Sequence, residues 1–253
     1  MILPECTAHA AVRGDEALPW PQITGWFAAE AGAAAGAGGP RGVITGSNPR
    51  HIERVVDEWP AAWASPRVIN DRRDLPLEID VESPERVGMD RLLNAVAGNR
   101  LRRAGEPLIV IDVGTATTVD AVSAQGVFLG GAILAGPELT ARALHDYTAA
   151  LPHVTLEELA RNEPPVIGRS TQQAIASGLY WGHWQSVWSY CVRMMEPLGI
   201  SYAPQTILTG GAADLFVNRL SPSHTYLPHL TLQGLAVVAQ SRPGGGSADS
   251  GGS

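Results

Sequence analysis

Ile111-Asp112-Val113-Gly114-Thr115-Ala116-Thr117-Thr118-Val119-Asp120 is the stretch on which the reading of this chain turns. The apolar run from Leu108 to Ile111 has the length and branching of a buried strand. It delivers a carboxylate, a glycine and three threonines to a tight turn, and an alternating strand from Thr117 to Val122 follows at once. Such a strand-turn-strand can make a phosphate and cation site. Glycine lets the backbone approach a ligand, turn N–H groups and threonine hydroxyls donate to phosphate oxygens, and the aspartate collects a cation. On this segment alone, an ordinary β-hairpin with a polar turn reads the same way.

Outward from this hairpin the pattern is mixed α/β. Ala124-Gln125-Gly126 turns the chain and Val127 to Leu134 returns as a strand. Pro137 opens a helix with Leu139, Ala143, Leu144 and Tyr147 expected to face inward. Upstream, Arg41 to Gly46 and Arg67 to Asn70 read as short strands. Between them Asn48 caps a helix that starts at Pro49 and runs to about Trp59. A helix from Met89 to about Arg103 buries Leu92, Leu93, Val96 and Leu101. Downstream, Ser170 caps a long helix from Thr171 to Met195, with Gln173 completing a capping box. A strand from Gln205 to Thr209, a Gly-Gly turn, a short helix and a terminal helix from Leu230 to Gln240 close the chain. Ala28 to Gly39 offers little to pack, and Ser241 to Ser253 is Gly/Ser-rich and expected to be disordered.

Composition narrows the class. With 253 residues, 45% hydrophobic and 17% charged, the chain can form a real core as one large or two modest domains. A formal charge of −7, with every basic residue an arginine and no basic stripe, speaks against a nucleic-acid partner. Cys6 and Cys191 are too few for a disulfide framework, no apolar run reaches a membrane span, and the start has no signal pattern. A cytoplasmic protein without a membrane partner is the expectation. Neither a P-loop nor a Rossmann fingerprint occurs, and the seven histidines are scattered without metal-ligand spacing.

Four further stretches carry candidate chemistry. In Pro84-Glu85-Arg86-Val87-Gly88-Met89-Asp90-Arg91, a Gly-x-Asp-Arg at a helix start sets a carboxylate and a guanidinium beside backbone donors. Asp90 is placed to accept a proton from a substrate hydroxyl and Arg91 to hold a carboxylate or phosphate. An acidic residue in a first helical turn is also favoured by the dipole alone. Val166-Ile167-Gly168-Arg169-Ser170-Thr171 ends at a helix start, where N–H groups and the Thr171 hydroxyl suit a carboxylate or amide, or simple capping. Thr209-Gly210-Gly211 lets a flat adenine or ribose lie against the backbone, and Gly130-Gly131 with Gly136-Pro137 marks backbone crowding near the same cleft, or merely turns.

In this order, Pro84–Arg91 with Asn94-Ala95-Val96 behind it, Asp112–Asp120, Gly130–Pro137, Ile167–Gly178 and Thr209–Gly211 resemble the type III pantothenate kinases. That family belongs to the acetate kinase, sugar kinase, heat-shock ATPase and actin superfamily. The spacing agrees as well, Asp112 lying 22 residues after Asp90. The resemblance implies two ribonuclease-H-like, actin-like ATPase halves with a cleft between them. They would span residues 1–105 and 106–240, ahead of the tail at 241–253. It implies ATP-dependent phosphorylation of the primary hydroxyl of pantothenate to 4′-phosphopantothenate, the first step of coenzyme A synthesis. Residue by residue, Gly88, Met89, Asp90 and Arg91 would bind pantothenate with Asp90 as general base. Asp112 would hold a monovalent cation, potassium or ammonium. Gly114 and Thr115 would contact ATP phosphates, Thr171 would touch pantothenate, and Gly210 and Gly211 would line the adenosine pocket. Mg²⁺ would accompany ATP. A homodimer is implied too, expected around the long helix, whose Trp181, Trp184 and Trp188 share one face and whose Gly178 and Gly182 admit a close neighbour.

Two departures qualify the likeness. Family members open with a strand bearing Asp-x-Gly-Asn-Thr, whose Asp organises Mg²⁺; nothing from Met1 to Arg50 matches it, and the early Asp15 has no strand before it. The first strands of the N-terminal half therefore read as missing or degenerate, through a start codon placed too far downstream or through real degeneration. The second alternative would make the protein a regulatory or binding homologue without catalysis. Val81 stands where many members carry a tyrosine near the pantothenate pocket.

Overall fold

Two sheets organise the chain in the computed structural model, which describes residues 3–6, 8–9, 16–31, 40–46, 48–220 and 224–241. A short parallel pair, β1 (Val43–Ile44) and β2 (Arg67–Val68), stands apart from a five-stranded mixed sheet. That sheet comprises β3 (Leu108–Val113), β4 (Ala116–Val122), β5 (Phe128–Ala135), β6 (Gln205–Thr209) and β7 (His224–Tyr226), in the order β5-β4-β3-β6-β7. β3, β4 and β5 form an antiparallel meander, while β6 and β7 add parallel to β3. Three meandering strands followed by two parallel ones on the other side is the ribonuclease-H-like arrangement expected for the second half. β7 is a strand that the sequence did not announce.

Side-chain alternation divides the sheet into two faces. Leu108, Val110, Val122, Phe128 and Ile207 pack against α3 (Met89–Leu101) and α8 (Leu230–Gln240). Ile109, Ile111, Val113, Val119 and Leu208 pack against α4 (Pro137–Asp146), α5 (Leu156–Arg161), α6 (Thr171–Ser177), α7 (His183–Met195) and the turn at 212–216. β3 is covered on both faces, which is why its sequence is an unbroken apolar run. α3 lies between the sheet and α8, so residues 92–98 are buried all round instead of along one stripe. The helices approach closely because a Cβ at Gly234 would collide with the Leu93 carbonyl. Although α3 precedes residue 105, its side chains complete the core of the second sheet.

Before β1, α1 (Trp20–Ala31) brings Trp20 to 5.2 Å from Trp59 and Phe27 to 6.0 Å from Trp63. Ala28 to Ala31 thus end a helix and do not begin a loop. Residues 32–39, Asp15 and the tail from 242 onward lie outside the described residues. α2 (Pro49–Asp57) starts as expected, the Asn48 side chain accepting from the Arg50 N–H at 3.1 Å.

Several local expectations are corrected. The long helix is interrupted by a π turn, Gly178–Gly182, between α6 and α7. A π turn advances the register by about one residue, so the tryptophans rotate inward. Trp184 is 7% exposed, with ring centroids 5.5 Å from Phe216 and 6.5 Å from Trp188; Trp181 donates to the Pro164 carbonyl at 2.9 Å. Trp184 belongs to the core of its own protomer, and Trp181 and Trp188 pack half-buried against it. On α4, Pro137 and Ala141 are buried while Leu139 and Tyr147 are exposed; the Gly136 N–H, donating to the Thr115 carbonyl at 2.9 Å, fixes the entry of that helix. Ser170 caps Gln173 N–H, but Gln173 Oε1 accepts from Arg169 N–H, so the reciprocal half of the box is displaced by one residue. A complete box occurs at Thr155 and Glu158, ahead of α5, in a segment that reads as loop. Among the described residues no helix is long and apolar enough to cross a membrane.

Trp184→Ala is expected to cost about 3–5 kcal/mol in denaturant unfolding without changing the oligomeric state, as a core ring should. His183 offers a second check. Its Nε2 sits 3.0 Å from Thr117 Oγ1, and burial pushes its pKa down to about 4 from 6.5. The unfolded chain therefore binds more protons between those values, and stability falls as pH drops from about 6.5 towards 4. Over that window the wild type should lose about 1–3 kcal/mol more than His183→Gln, measured by urea titration at a series of pH values.

Candidate active site

One residue before its end, β3 carries a half-buried carboxylate. Asp112 lies on the α3 face of the sheet, where Asn94 Nδ2 donates to its Oδ2 at 2.7 Å. Thr231 Oγ1 in turn donates to Asn94 Oδ1 at 2.7 Å, which orients the amide so that its N–H₂ must point to the acid. On the far side, Gly210 closes over Asp112 at φ +101°; a Cβ there would strike Asp112 Oδ1 and the Val113 backbone, so both the dihedral and the space require glycine. Thr118 pairs with Asp112 across the hairpin, and its buried hydroxyl, two residues before Asp120 on the same face, helps to steady the Asp120 carboxylate. Burial pushes the Asp112 carboxyl above the usual carboxylate range; the Asn94 bond pulls it back, and the charges of Asp90 and Asp120 push it further up.

The neighbouring acid, Asp120, is buried, 2% exposed on β4. Arg91 Nε lies 3.1 Å from each of its oxygens, Arg91 Nη2 also donates to Oδ1, and the guanidinium sits 5.6 Å above the Phe128 ring. Burial raises the Asp120 carboxyl, and the Arg91 hydrogen bond and charge oppose that. Asp90 is exposed beside this pair, its Oδ1 accepting from the Arg91 N–H at 2.9 Å. Its charge is felt at both Asp112 and Asp120, so three carboxylates lie close together while Arg91 pairs with Asp120.

Gly88 is the residue before α3, where backbone N–H groups are open, and Met89 behind it is buried. Beside them lies a cavity of about 430 Å³, lined in part by Ile52, Asn70, Arg72, Arg86, Val87 and Met89. Arg72 spends Nη2 on the Val87 carbonyl at 2.9 Å, while its Nε–H is buried and unpartnered. At the other end of the site, Gly114 N–H donates to the Ala116 carbonyl at 3.0 Å to close the β3–β4 turn, leaving Thr115 exposed at its tip. The open space around Gly211 leaves its backbone accessible.

The structure thus gathers Gly88, Met89, Asp90, Arg91, Asp112, Gly114, Thr115, Gly210 and Gly211 around the strand ends and the start of α3. Thr171 is the exception, because it starts α6, and that helix packs on the opposite face of the sheet. Arg91 points at Asp120 and is not free, as the bare motif suggested. Asn94, Thr118, Asp120 and Thr231 had received no role from the sequence. One signal was present: Asp120 interrupts Val119-Asp120-Ala121-Val122, and a charge inside an apolar strand requires a partner.

A ribonuclease-H-like sheet with acids and a glycine-lined turn at its strand ends defines the class. Within it, the profile of the type III pantothenate kinase family matches residues 9–193. The chain belongs to the type III pantothenate kinase family. Relatives bearing that name include those of Persephonella marina, 36% identical over 67% of this chain and 64% of the relative. The Acidiphilium cryptum relative is 37% identical over 84% of this chain and 77% of its own length, and that of Gluconobacter oxydans is 39% identical over 76% and 68%. The chain therefore spans about two thirds of the length of these relatives. Among solved structures, a Baf family protein from Campylobacter jejuni, described as a transcriptional activator, superposes with TM-score 0.54 at 17% identity, covering 79% of this chain and 83% of that one. It shares the fold.

Removing either member of a buried, hydrogen-bonded ion pair strands the other. Arg91→Ala and Asp120→Ala are each expected to cost about 3–5 kcal/mol, and the double variant clearly less than the two together. Additive losses in urea unfolding would show that the pair is not coupled.

Proposed function

We propose that this chain transfers the γ-phosphoryl group of ATP to the primary hydroxyl of pantothenate, giving 4′-phosphopantothenate and ADP, the first step of coenzyme A synthesis, in the cytoplasm. The observation that carries the reading is the convergence of Asp90, Asp112 and Asp120 at the Gly88 end of α3, on a chain of this family. Asp90, exposed and fixed by the Arg91 N–H, takes the hydroxyl proton as the oxygen attacks the γ-phosphorus. The bond to the ADP oxygen breaks in the same displacement. The exposed N–H groups and hydroxyl of the Gly114–Thr115 turn receive the phosphates, and Gly210 and Gly211 lie against the nucleoside. The cavity beside Gly88 suits the rest of the substrate. Ile52, Val87 and Met89 offer apolar surface for its geminal methyl groups, and Arg72 Nε–H with Asn70 offers polar donors for its amide and carboxylate.

The residues around Asp112 fit a hard monovalent cation: a half-buried carboxylate held by the Asn94 amide, with the Thr118 hydroxyl across the hairpin and the Val113 and Gly210 backbone beside it, is rich in oxygen. Potassium or ammonium bound there would supply the positive charge that lets phosphate approach these acids. Mg²⁺ is a different case. The family's Asp-x-Gly-Asn-Thr carboxylate has no match from Met1 to Arg50, and Asp120 is engaged by Arg91, so no ligand of this chain is assigned to it.

We also propose a homodimer, and residues 1–105 and 106–240 as the two halves. Thr171 supports the dimer: it lies across the sheet from Gly88–Arg91, so a role at the substrate calls for a second copy to supply it.

Asp90→Asn should lower turnover by about 10²–10⁴-fold and leave pantothenate affinity nearly unchanged, because it removes a proton acceptor and little volume. Near-normal turnover would remove Asp90 from the base role, and replacing potassium by sodium should also depress the rate. A mixing experiment tests the shared site. With Asp90→Asn and Thr171→Val each inactive alone, a reassociated equal mixture should regain about a quarter of wild-type activity, since half the dimers then hold one intact site. No recovery would place Thr171 and Asp90 in the same chain or outside the chemistry.

A further inference from the structure

We propose that Cys6, His9 and His229 form a zinc site, separate from the acids of the active centre, that fastens the N-terminal segment to the start of α8. The Cys6 sulfur, a His9 ring nitrogen and a His229 ring nitrogen lie within 4.8 Å of one another, the histidine rings having centroids 4.3 Å apart. In tetrahedral zinc, bond lengths near 2.3 Å to sulfur and 2.0–2.1 Å to nitrogen set the ligands about 3.3–3.6 Å apart. Small side-chain rotations bring the three atoms to that spacing. The Cys6 thiol donates only a weak bond to the Ala8 carbonyl at 3.6 Å, which metal binding would release.

The convergence is built by the fold. The segment 3–6 is held beside α8 at two other points: Leu3 packs into the core shared by α3 and α8, and the Pro4 carbonyl accepts from Gln233 Nε2 at 3.1 Å. His229 directly precedes α8, and its carbonyl accepts the Gln233 N–H at 3.0 Å. Cys6-x-x-His9 thus supplies two ligands from one turn of chain, and His229 closes the site from the other end of the sequence. One thiolate and two imidazoles suit zinc, a borderline metal, whereas the carboxylate and hydroxyl oxygens around Asp112 suit hard cations. Three protein ligands leave the fourth position to water. Two residues beyond His229, Thr231 holds Asn94 against Asp112, so the clamp would steady the helix end that supports the acid.

The test uses the full chain, stripped with a chelator and titrated with Zn²⁺ in the presence of millimolar Mg²⁺ and K⁺. One Zn²⁺ per chain, bound at micromolar concentration or tighter, is expected, and Co²⁺ in its place should show a thiolate-to-metal charge-transfer band. Cys6→Ser and His9→Gln, both on a surface segment, should each weaken Zn²⁺ binding by more than about 100-fold while keeping the far-ultraviolet circular dichroism of the wild type. Cys6→Ser should also abolish the cobalt band, and the melting temperature should rise with Zn²⁺ in the wild type alone. Absence of stoichiometric Zn²⁺ binding, retention of it in these two variants, or a cobalt band that survives Cys6→Ser would overturn the proposal.

Discussion

The Asn94–Asp112 hydrogen bond is the contact from which the rest of the active centre follows. An ionised carboxylate at the end of a central strand loses most of its hydration, at a cost of several kcal/mol that one bond from a neutral amide only partly offsets. The amide must come from the helix that covers this face, so α3 is fixed in azimuth and in height over β3. Its orientation must be fixed as well, or the carbonyl oxygen would face the acid. Thr231 does this from α8, and the glycine contact at Gly234 lets α8 come close enough. Gly210 then seals the fourth side. One buried charge thereby couples β3, α3, α8 and the turn after β6.

The electrostatic balance left by these contacts favours a cation. Asp90, Asp112 and Asp120 lie close enough to feel one another's charge while Arg91 pairs with Asp120, and the carboxyls of Asp112 and Asp120 are pushed upward by burial and by their acidic neighbours. Like charges gathered in a partly solvated site repel one another, the more strongly the less water lies between them. A nucleotide polyphosphate brought to the Gly114–Thr115 turn would meet the same repulsion. The proposed monovalent cation relieves both conflicts at once, the stored repulsion among the acids and the approach of phosphate. On this view the unfavourable burial of Asp112 is the source of cation affinity, because the free energy lost in burying the acid is recovered when the ion binds.

Much of this fold could be read from periodicity. β3, β4 and β6 are short apolar or alternating runs bounded by turn residues, and α2 carries an Asn48 cap followed by Pro49 that fixes its start. What stayed hidden has common physical causes. The π turn at Gly178–Gly182 preserves a helical composition and changes the register by one residue, which no hydrophobic pattern records, so the burial of Trp184 is not legible from its spacing. α4 has apolar residues on more than one side, and its rotation is set by a backbone bond at Gly136, not by its own sequence. Asn94 and Asp120 lie among apolar neighbours and acquire meaning only when the partner is seen. Cys6, His9 and His229 meet across 220 residues of chain, beyond the reach of any spacing rule. The motif Gly88–Arg91 is legible because its residues are contiguous, whereas Thr171, a helix-start hydroxyl that the resemblance implies for the same site, lies across the sheet.

The two faces of the five-stranded sheet divide the work. The α3 face accepts Asp112, Thr118 and Asp120 and so gives up apolar area where a purely structural sheet would bury leucine or valine. Each such replacement forgoes about 1.5–3 kcal/mol of burial. The opposite face compensates with bulk: Tyr180, Trp184 and Phe216 are buried there in mutual contact, and His183 with Thr117 is the polar pair among them. The division also explains why the π turn is tolerated in the helix over that face. His183 and Trp184 are the first two residues of α7, directly after the π turn, so the added residue carries both together relative to α6: Trp184 onto Phe216 and His183 onto Thr117 of β4. The packing gained on this aromatic face offsets the apolar area that the face bearing the acids gives up.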